Sequence, residues 1–412
     1  MDKRCIEATF EIVTPMFLGD GDQEARIIRP QSFKAELLFW WRALHYAGYV
    51  ERAEGNNQTA ALKEMHKDET LLFGGAKAQA AFLLRVEHST FTPVPSGQTL
   101  AGSGPGCGYL GFGLMDQHRV LTRSCVPAEG KFEIELIFRP MFRNRVLVAS
   151  LVRSLKLTGL VGALGSRKRR GFGSIAMMKM TISAGLKTFL AELDKAVEDL
   201  AAPSDKASYE KCLGVLISKP LCKRKDFLLS AFSADTDLCV WASPRNTAME
   251  ALEAIGSEFQ KYRGWGFGDP PKVAGVPSRK NFEADHDWYR KVNLYAGKDW
   301  DRRTNKNIPE RAIFGLPHNY GKDLGIAAIG EKPSRRASPL FFHIAKIGSN
   351  YLPVATYFDT QFLPKNEISL NSRSALAYVP NAAVIHDFLD GKSRSAPPKA
   401  QITPALFTKV LP

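Results

Sequence analysis

Four consecutive cations, Arg167, Lys168, Arg169 and Arg170, stand between Gly165 and the pair Gly171 and Gly173. Guanidinium and ammonium groups donate to phosphate oxygens, and glycines let a backbone turn left-handed or approach a ligand closely. Several such donors on one short loop suit a polyanion with successive phosphates better than one small anion. Phe172, flanked by two glycines, offers a ring to stack on a base. The glycine order is not that of a dinucleotide-binding turn, and no G-x-x-x-x-G-K-S/T stretch occurs.

The neighbouring elements follow from periodicity. Residues 145–160 read as a helix with Val148, Leu151, Val152 and Leu155 on one stripe, and residues 173–183 read as a strand, so the cations sit at a helix-to-strand junction. Residues 29–48 form a strong helical pattern through Phe33, Leu37, Leu38, Trp41 and Leu44, with Ser32 as candidate N-cap and Gly48 as its stop. Its tryptophans are expected in the core. On the opposite edge Lys34, Arg42 and His45 share one quadrant, which makes Lys34 and Arg42 candidate phosphate contacts. Strands are expected at residues 5–13, with Ile6, Ala8, Phe10 and Ile12 on one face, and at 80–88 and 131–138. Residues 56–74 are polar, then weakly apolar. Residues 91–113 are glycine- and proline-rich, and read as a functional or partner-ordered loop.

Reduced to its elements, this part runs strand, helix, strand, strand, helix, strand. That is the split β-α-β order of a ferredoxin-like domain, with helices on one face of an antiparallel sheet and the other face open to RNA or another domain. A helix at 186–200 and a linker at 201–206 then divide the chain into domains 1–200 and 207–412, within the range of roughly 180 to 230 residues that its length suggests. In the second domain, strands are expected at 227–232, 238–242, 340–347 and 351–363, with helices at 244–262, opened by Ser243, and 381–389. A flexible basic segment covers 391–399. Arg335 and Arg336 lead into a strand and make a second basic handhold. Residues 264–280 and 281–303 show little periodicity.

With 56 basic and 42 acidic residues the chain carries a formal charge of +14 and a pI near 9.4, which favours an acidic partner such as nucleic acid or an anionic surface. No apolar run reaches the length of a membrane span, and residues 1–10 lack the apolar segment of a signal peptide, so the reading is cytoplasmic with no membrane partner. Six cysteines occur without a C-x-x-C pair, as fits reduced thiols and no zinc module. Asp20, Asp22 and Glu24 read as a polar turn. Glu283, Asp285, His286 and Asp287 are the most metal-like cluster, but with no second histidine at helical spacing they read as a solvated acidic patch. No H-E-x-x-H or G-x-S-x-G motif occurs, and no metal or cofactor is expected.

Five stretches carry a resemblance. Residues 15–19 (PMFLG), 29–42 with their FWWRA core, 164–173 (LGSRKRRGFG), 311–317 with FGLP, and 335–340 (RRASPL) resemble, in that order, motifs of the first-subunit family of the Cmr complex, among the repeat-associated mysterious proteins (RAMPs) of type III-B CRISPR effectors. The resemblance implies two fused ferredoxin-like domains at the head of a multi-subunit particle. It also implies contact with guide RNA (crRNA) or bound target RNA, other Cmr subunits as partners, and no cleavage by this chain. Carried onto this sequence, the family's basic cleft would use Lys34, Arg42, Arg167, Lys168, Arg169, Arg170, Arg335 and Arg336. Two alternatives remain from the residues alone: a metal-independent RNA-processing endoribonuclease, for which His45 is the one candidate base, and a scaffold that barely touches RNA.

Overall fold

The computed structural model describes residues 3–19, 24–87, 89, 91–190, 200–217, 223–224, 226–265, 272–273, 276–282, 285, 309–321, 324–328, 335–363, 367–370, 374–394 and 406–410. Asp20, Asp22, Glu283, His286 and Asp287, and most of 264–303, lie outside them. The fold is a mixed α/β arrangement of small antiparallel sheets and helices.

Strict alternation makes the first strands. In β1, Cys5–Ile12, the residues Ile6, Ala8, Phe10 and Ile12 point into the core, and in β3, Lys131–Phe138, so do Phe132, Ile134, Leu136 and Phe138. The two strands pair antiparallel with Phe10 opposite Phe132, whose rings stack at 5.3 Å. With β2, Phe82–Glu87, β4, Ile175–Ile182, and the short β5, Leu200–Ala201, they form one sheet in the order β2-β3-β1-β4-β5. Helices α1, Pro30–Arg52, and α4, Arg145–Val161, cover its apolar face, while Glu7, Glu133 and Lys179 face solvent on the other.

Helix α1 departs from the sequence reading at both ends. Pro30 occupies its first turn and Arg29 its N-cap, so Ser32 lies inside the helix and caps nothing. Gly48 does not stop it: a glycine costs a helix interior only about 1 kcal/mol, and Val50 beyond it is buried. The polar stretch after it holds a further helix, α2, Gln58–Phe73, whose first turn is capped by the Asn57 side chain accepting from Thr59 and Ala60. Within 91–113 lies α3, Pro105–Leu110. After β4 come α5, Ala184–Leu190, and α6, Lys206–Ile217, so residues 202–205 separate β5 from α6.

The second half repeats the pattern. It runs β6, Asp237–Trp241; α7, Ala248–Arg263; a β7–β8 hairpin, Lys272–Val273 and Val276–Pro277; β9, Gly315–Leu316; β10, His318–Gly321; β11, Leu324–Ala328; and β12, Arg336–Ala337. Then follow β13, Leu340–Ile347; β14, Asn350–Tyr357; β15, Glu367–Leu370; β16, Ser374–Ala377; α8, Ala383–Leu389; and β17, Phe407–Lys409. Strands β13-β14-β6-β17 form a sheet in which second, third, first and fourth strands lie side by side, the same relative order as β2-β3-β1-β4. Three readings change here. The expected strand at 227–232 is an irregular segment anchored by buried Phe227 and Phe232. Helix α7 is capped by Thr247, whose hydroxyl accepts from Glu250 at 3.1 Å, and not by Ser243. Arg394, expected in a flexible tail, bonds Asp387 at 2.6 Å and Glu310 at 2.9 Å.

Each sheet has its own hydrophobic cluster, and residues of the first half such as Trp40, Leu160 and Phe172 join the second sheet's, so the halves meet through apolar side chains. Trp41 packs into the first half against Phe73, whereas Trp40, the next residue, faces Phe341 and Phe358 of the second. Helix α1 is apolar on two sides because it is buried on two sides. An ion pair, Lys346 to Glu11 at 2.6 Å, joins β13 to β1.

Candidate nucleic-acid interface

The basic loop is pinned at its base by a ladder of backbone bonds. Leu164 donates to the Gly173 carbonyl at 2.8 Å, Gly173 to Pro15 at 3.0 Å and Ser166 to Phe17 at 2.9 Å. Gly173 has φ of +66°, and a Cβ there would lie 1.9 Å from the Leu164 oxygen. Gly165, at φ +85°, would meet the Phe17 carbonyl at 2.6 Å. Both positions need glycine, as the sequence implies. The far side of the loop is tied to the second half: Phe342 donates to the Arg169 carbonyl at 3.0 Å.

From this frame the loop faces a cleft of about 840 Å³ between the halves. Its walls are residues 109–112, the end of α7, the turn after β9 and the β12 segment. Strands β9 and β12 pair, with Arg336 opposite Leu316, so the FGLP and RRASPL stretches meet there. Among the described residues seven cations line the cleft, Arg167, Lys168, Arg169, Arg170, Arg263, Arg335 and Arg336, and no aspartate or glutamate does.

Neutral carbonyls, which leave charge uncompensated, hold most of these guanidinium groups. Arg167 donates to Phe112, Arg169 to Ser338 at 3.1 Å, Arg170 to Phe314 at 2.8 Å and Arg336 to Gln361 at 2.9 Å. Burial, with Arg336 close by, pushes Arg169 down to about 10, and burial beside Arg263 pushes Arg170 down to about 9. Both remain cationic at neutral pH while repelling one another. Phosphates entering the cleft would relieve that repulsion.

Residues 9–176 match the family model of the RAMP superfamily. That segment runs from β1 to the start of β4 and includes the basic loop. No curated protein matches the chain. Among solved structures, the crystal structure of Cmr1 from Pyrococcus furiosus in its apo form is 20% identical, covering 88% of this chain and 90% of that one with a TM-score of 0.48. A chain in the cryo-EM structure of the type III-B Cmr-beta bound to cognate target RNA is 11% identical, covering 94% and 98%, with a TM-score of 0.50. At that identity the likeness is one of fold.

Within the RAMP-matched segment the expected contacts separate. Lys168 lines the cleft but pairs with the buried Glu36 carboxylate of α1. Arg42 makes a bidentate pair with Glu69 of α2, both bonds at 2.7 Å, and borders an adjoining hollow of about 240 Å³ that also holds Arg169, Arg335 and Arg336. Lys34 lies elsewhere, 5.7 Å from the Phe82 ring centroid, with burial lowering its pKa. Phe172 offers no stacking surface: it is 0% exposed and packs edge-on against Phe17. Nor is residues 91–113 a loop awaiting a partner, because Glu253 of α7 accepts backbone amides from Gly104, Gly106 and Cys107 at 3.1, 2.9 and 2.8 Å.

Outside the segment, Arg263 and His318 join the cleft without any signal in the local sequence. Arg263 closes α7 over the Phe314 ring at 4.9 Å. Burial first, then Arg263, Arg311 and Arg170, hold His318 well below the usual imidazole range, which leaves a neutral and weak base. His45 is not in the cleft; its Nε2 lies 3.3 Å from the Ser150 carbonyl of α4. Asp285 is buried rather than solvated, accepting from the Glu310 amide at 2.8 Å and pairing with Arg311 at 2.9 Å. Among the described residues Cys5, Glu7 and Glu135 are spaced for a shared ion, but Glu135 is already paired with Lys3 and Arg85. No described helix is long and apolar enough to cross a membrane.

Proposed function

We propose that this chain is a non-catalytic RNA-binding subunit of a type III-B CRISPR effector, seated at the head of the particle as a first-subunit Cmr protein. Guide RNA or its bound target would lie in the cleft between two fused ferredoxin-like domains, 1–200 and 207–412. The observation that carries this reading is the cleft itself, whose described lining has seven cations and no carboxylate. The RAMP match over 9–176 and the fold shared with a chain of an RNA-bound Cmr-beta particle support it. The five motif stretches also converge, since Pro15, Phe17, Glu36, Leu316 and Arg336 all border or brace the basic loop or its cleft.

Phosphate contacts on such a surface release counterions, so the logarithm of RNA affinity falls linearly with the logarithm of salt concentration, with a slope of about 0.7 per phosphate contacted on a single strand. Titrating labelled single-stranded RNA into the purified chain over a salt series tests the reading. A negative slope worth several contacts supports it; salt-independent or undetectable binding at low salt favours a scaffold. Shortened RNA products formed by the pure chain, and abolished by His45→Ala, would instead establish the endoribonuclease alternative.

A further inference from the structure

Among the described residues the cleft has one exposed aromatic ring, and it is not the one that local sequence suggests. Phe112 is 75% exposed and is the only exposed phenylalanine among the described residues, whereas Phe172, Phe259 and Phe314 around it are buried. A single exposed apolar side chain is ordinary on a protein surface. The anchoring of this one's backbone is not ordinary. Its carbonyl accepts from Arg167, a cation of the basic loop. The turn before it is latched to α7 by the three amide bonds to Glu253, and Gly106 sits so close to α7 that a Cβ there would lie 2.5 Å from the Glu253 carbonyl. The backbone that carries the ring is therefore held, and the ring faces solvent at the rim of a cationic cleft.

We infer that Phe112 stacks on a base of single-stranded RNA whose phosphates lie along Arg167, Arg169, Arg335 and Arg336. This rests on the RNA-binding reading above and adds where a base goes. In a strand gripped by its phosphates the bases hang to one side, and a flat hydrocarbon ring beside the phosphate track takes any of them by its π-face. Phe112 has no donor or acceptor with which to read base edges, so the contact selects single strands over duplex, whose bases are already stacked, without choosing a sequence.

The test compares the full chain with Phe112→Ala, Phe112→Trp and, as a control on the cleft, Arg169→Ala with Arg336→Ala. Each binds an unstructured RNA oligonucleotide and a series in which a single abasic site is moved along it. Phe112→Ala should weaken the intact oligonucleotide roughly 5- to 150-fold, the span for losing one stacked base, with an unchanged salt slope. Phe112→Trp should bind at least as tightly as the natural chain. One abasic position should weaken binding to the natural chain and leave Phe112→Ala unaffected. If Phe112→Ala binds normally while the arginine variant binds weakly, the stacking inference falls and the cleft reading stands. If the arginine variant also binds normally, the cleft reading falls with it. Phe112→Ala that binds RNA normally but fails to join partner subunits would make the ring a protein contact and overturn the inference.

Discussion

The Arg169 guanidinium lies over the Phe341 ring, 4.4 Å from its centroid. Phe341 in turn stacks on Phe39 of α1 at 5.5 Å, so a cation from one half rests on a platform built by both. Held there and bonded to the Ser338 carbonyl, Arg169 loses little freedom when a phosphate arrives. The junction of the two halves and the candidate binding surface are the same structure.

Arg169→Ala combined with Arg336→Ala should therefore weaken single-stranded RNA of any sequence and flatten the salt slope by about 1.4, two contacts at about 0.7 each. Circular dichroism should show the double variant folded, and an unchanged slope would remove these residues from the interface.

Glu36 makes a prediction in the opposite direction. Its buried carboxylate accepts from Trp40 at 2.8 Å and the Ala163 amide at 3.0 Å, and pairs with Lys168, which remains partly exposed. Glu36→Gln keeps an acceptor for Trp40 but frees the Lys168 charge. Stability should fall by about 1 to 2 kcal/mol, less than for a fully buried pair because Lys168 is screened by solvent. RNA affinity should rise and the salt slope steepen by up to about 0.7 as one more cation becomes available. Urea unfolding together with the RNA titration checks both signs.

The tripeptide Gly-Phe-Gly occurs at 111–113, at 171–173 and, outside the described residues, at 266–268, and the first two copies mark what was legible in the sequence. Local composition gives both phenylalanines the same signal, yet Phe172 is core and Phe112 is exposed. The choice is made by tertiary neighbours. Strand β3 was readable because one face is buried and period alone records that, whereas helix α4, with one apolar stripe in its first half, is buried on every side from Ser154 to Val161. Helix α2 was not readable, because its buried set includes Glu69, held by Arg42 of another helix. The basic loop announced itself by composition. Arg263, at the end of an ordinary amphipathic helix, did not, and neither did the order of 91–113, which depends on a carboxylate far along the chain.

That carboxylate gives the third prediction. Glu253→Ala removes an acid near a cationic cleft, which by charge alone would strengthen RNA binding. It also releases the Gly104, Gly106 and Cys107 amides and lets residues 104–112 move. Stability should drop by about 2 to 3 kcal/mol, amide exchange should accelerate at Cys107 and Gly111, and RNA affinity should fall. Tighter binding would show that the latch has no part in forming the cleft.

The last prediction concerns acid. His343 of β13 is buried beside a cavity of about 250 Å³ lined by Gly159, Met177 and Tyr209, and neither ring nitrogen has a partner in hydrogen-bond geometry among the described residues. Burial lowers its pKa to about 3, which the Gly162 backbone offsets only in part. The unfolded chain binds a proton on this side chain below its ordinary value of 6.5, and the folded chain does not until near 3, so acid favours unfolding throughout that interval. The slope approaches about 1.4 kcal/mol per pH unit once the unfolded imidazole is fully charged. His386 has the opposite sign. Its bond to Asp237, at 2.7 Å, raises its pKa, so its stabilisation is present in acid and lost as pH rises through the folded value. It cannot account for an acid-side loss. His343→Leu should therefore remove about one proton from the unfolding linkage and flatten the acid limb of stability between about pH 6.5 and pH 4, while His386→Leu should not. Urea midpoints measured across that range decide it: parallel curves for the natural chain and His343→Leu would locate the acid sensitivity elsewhere.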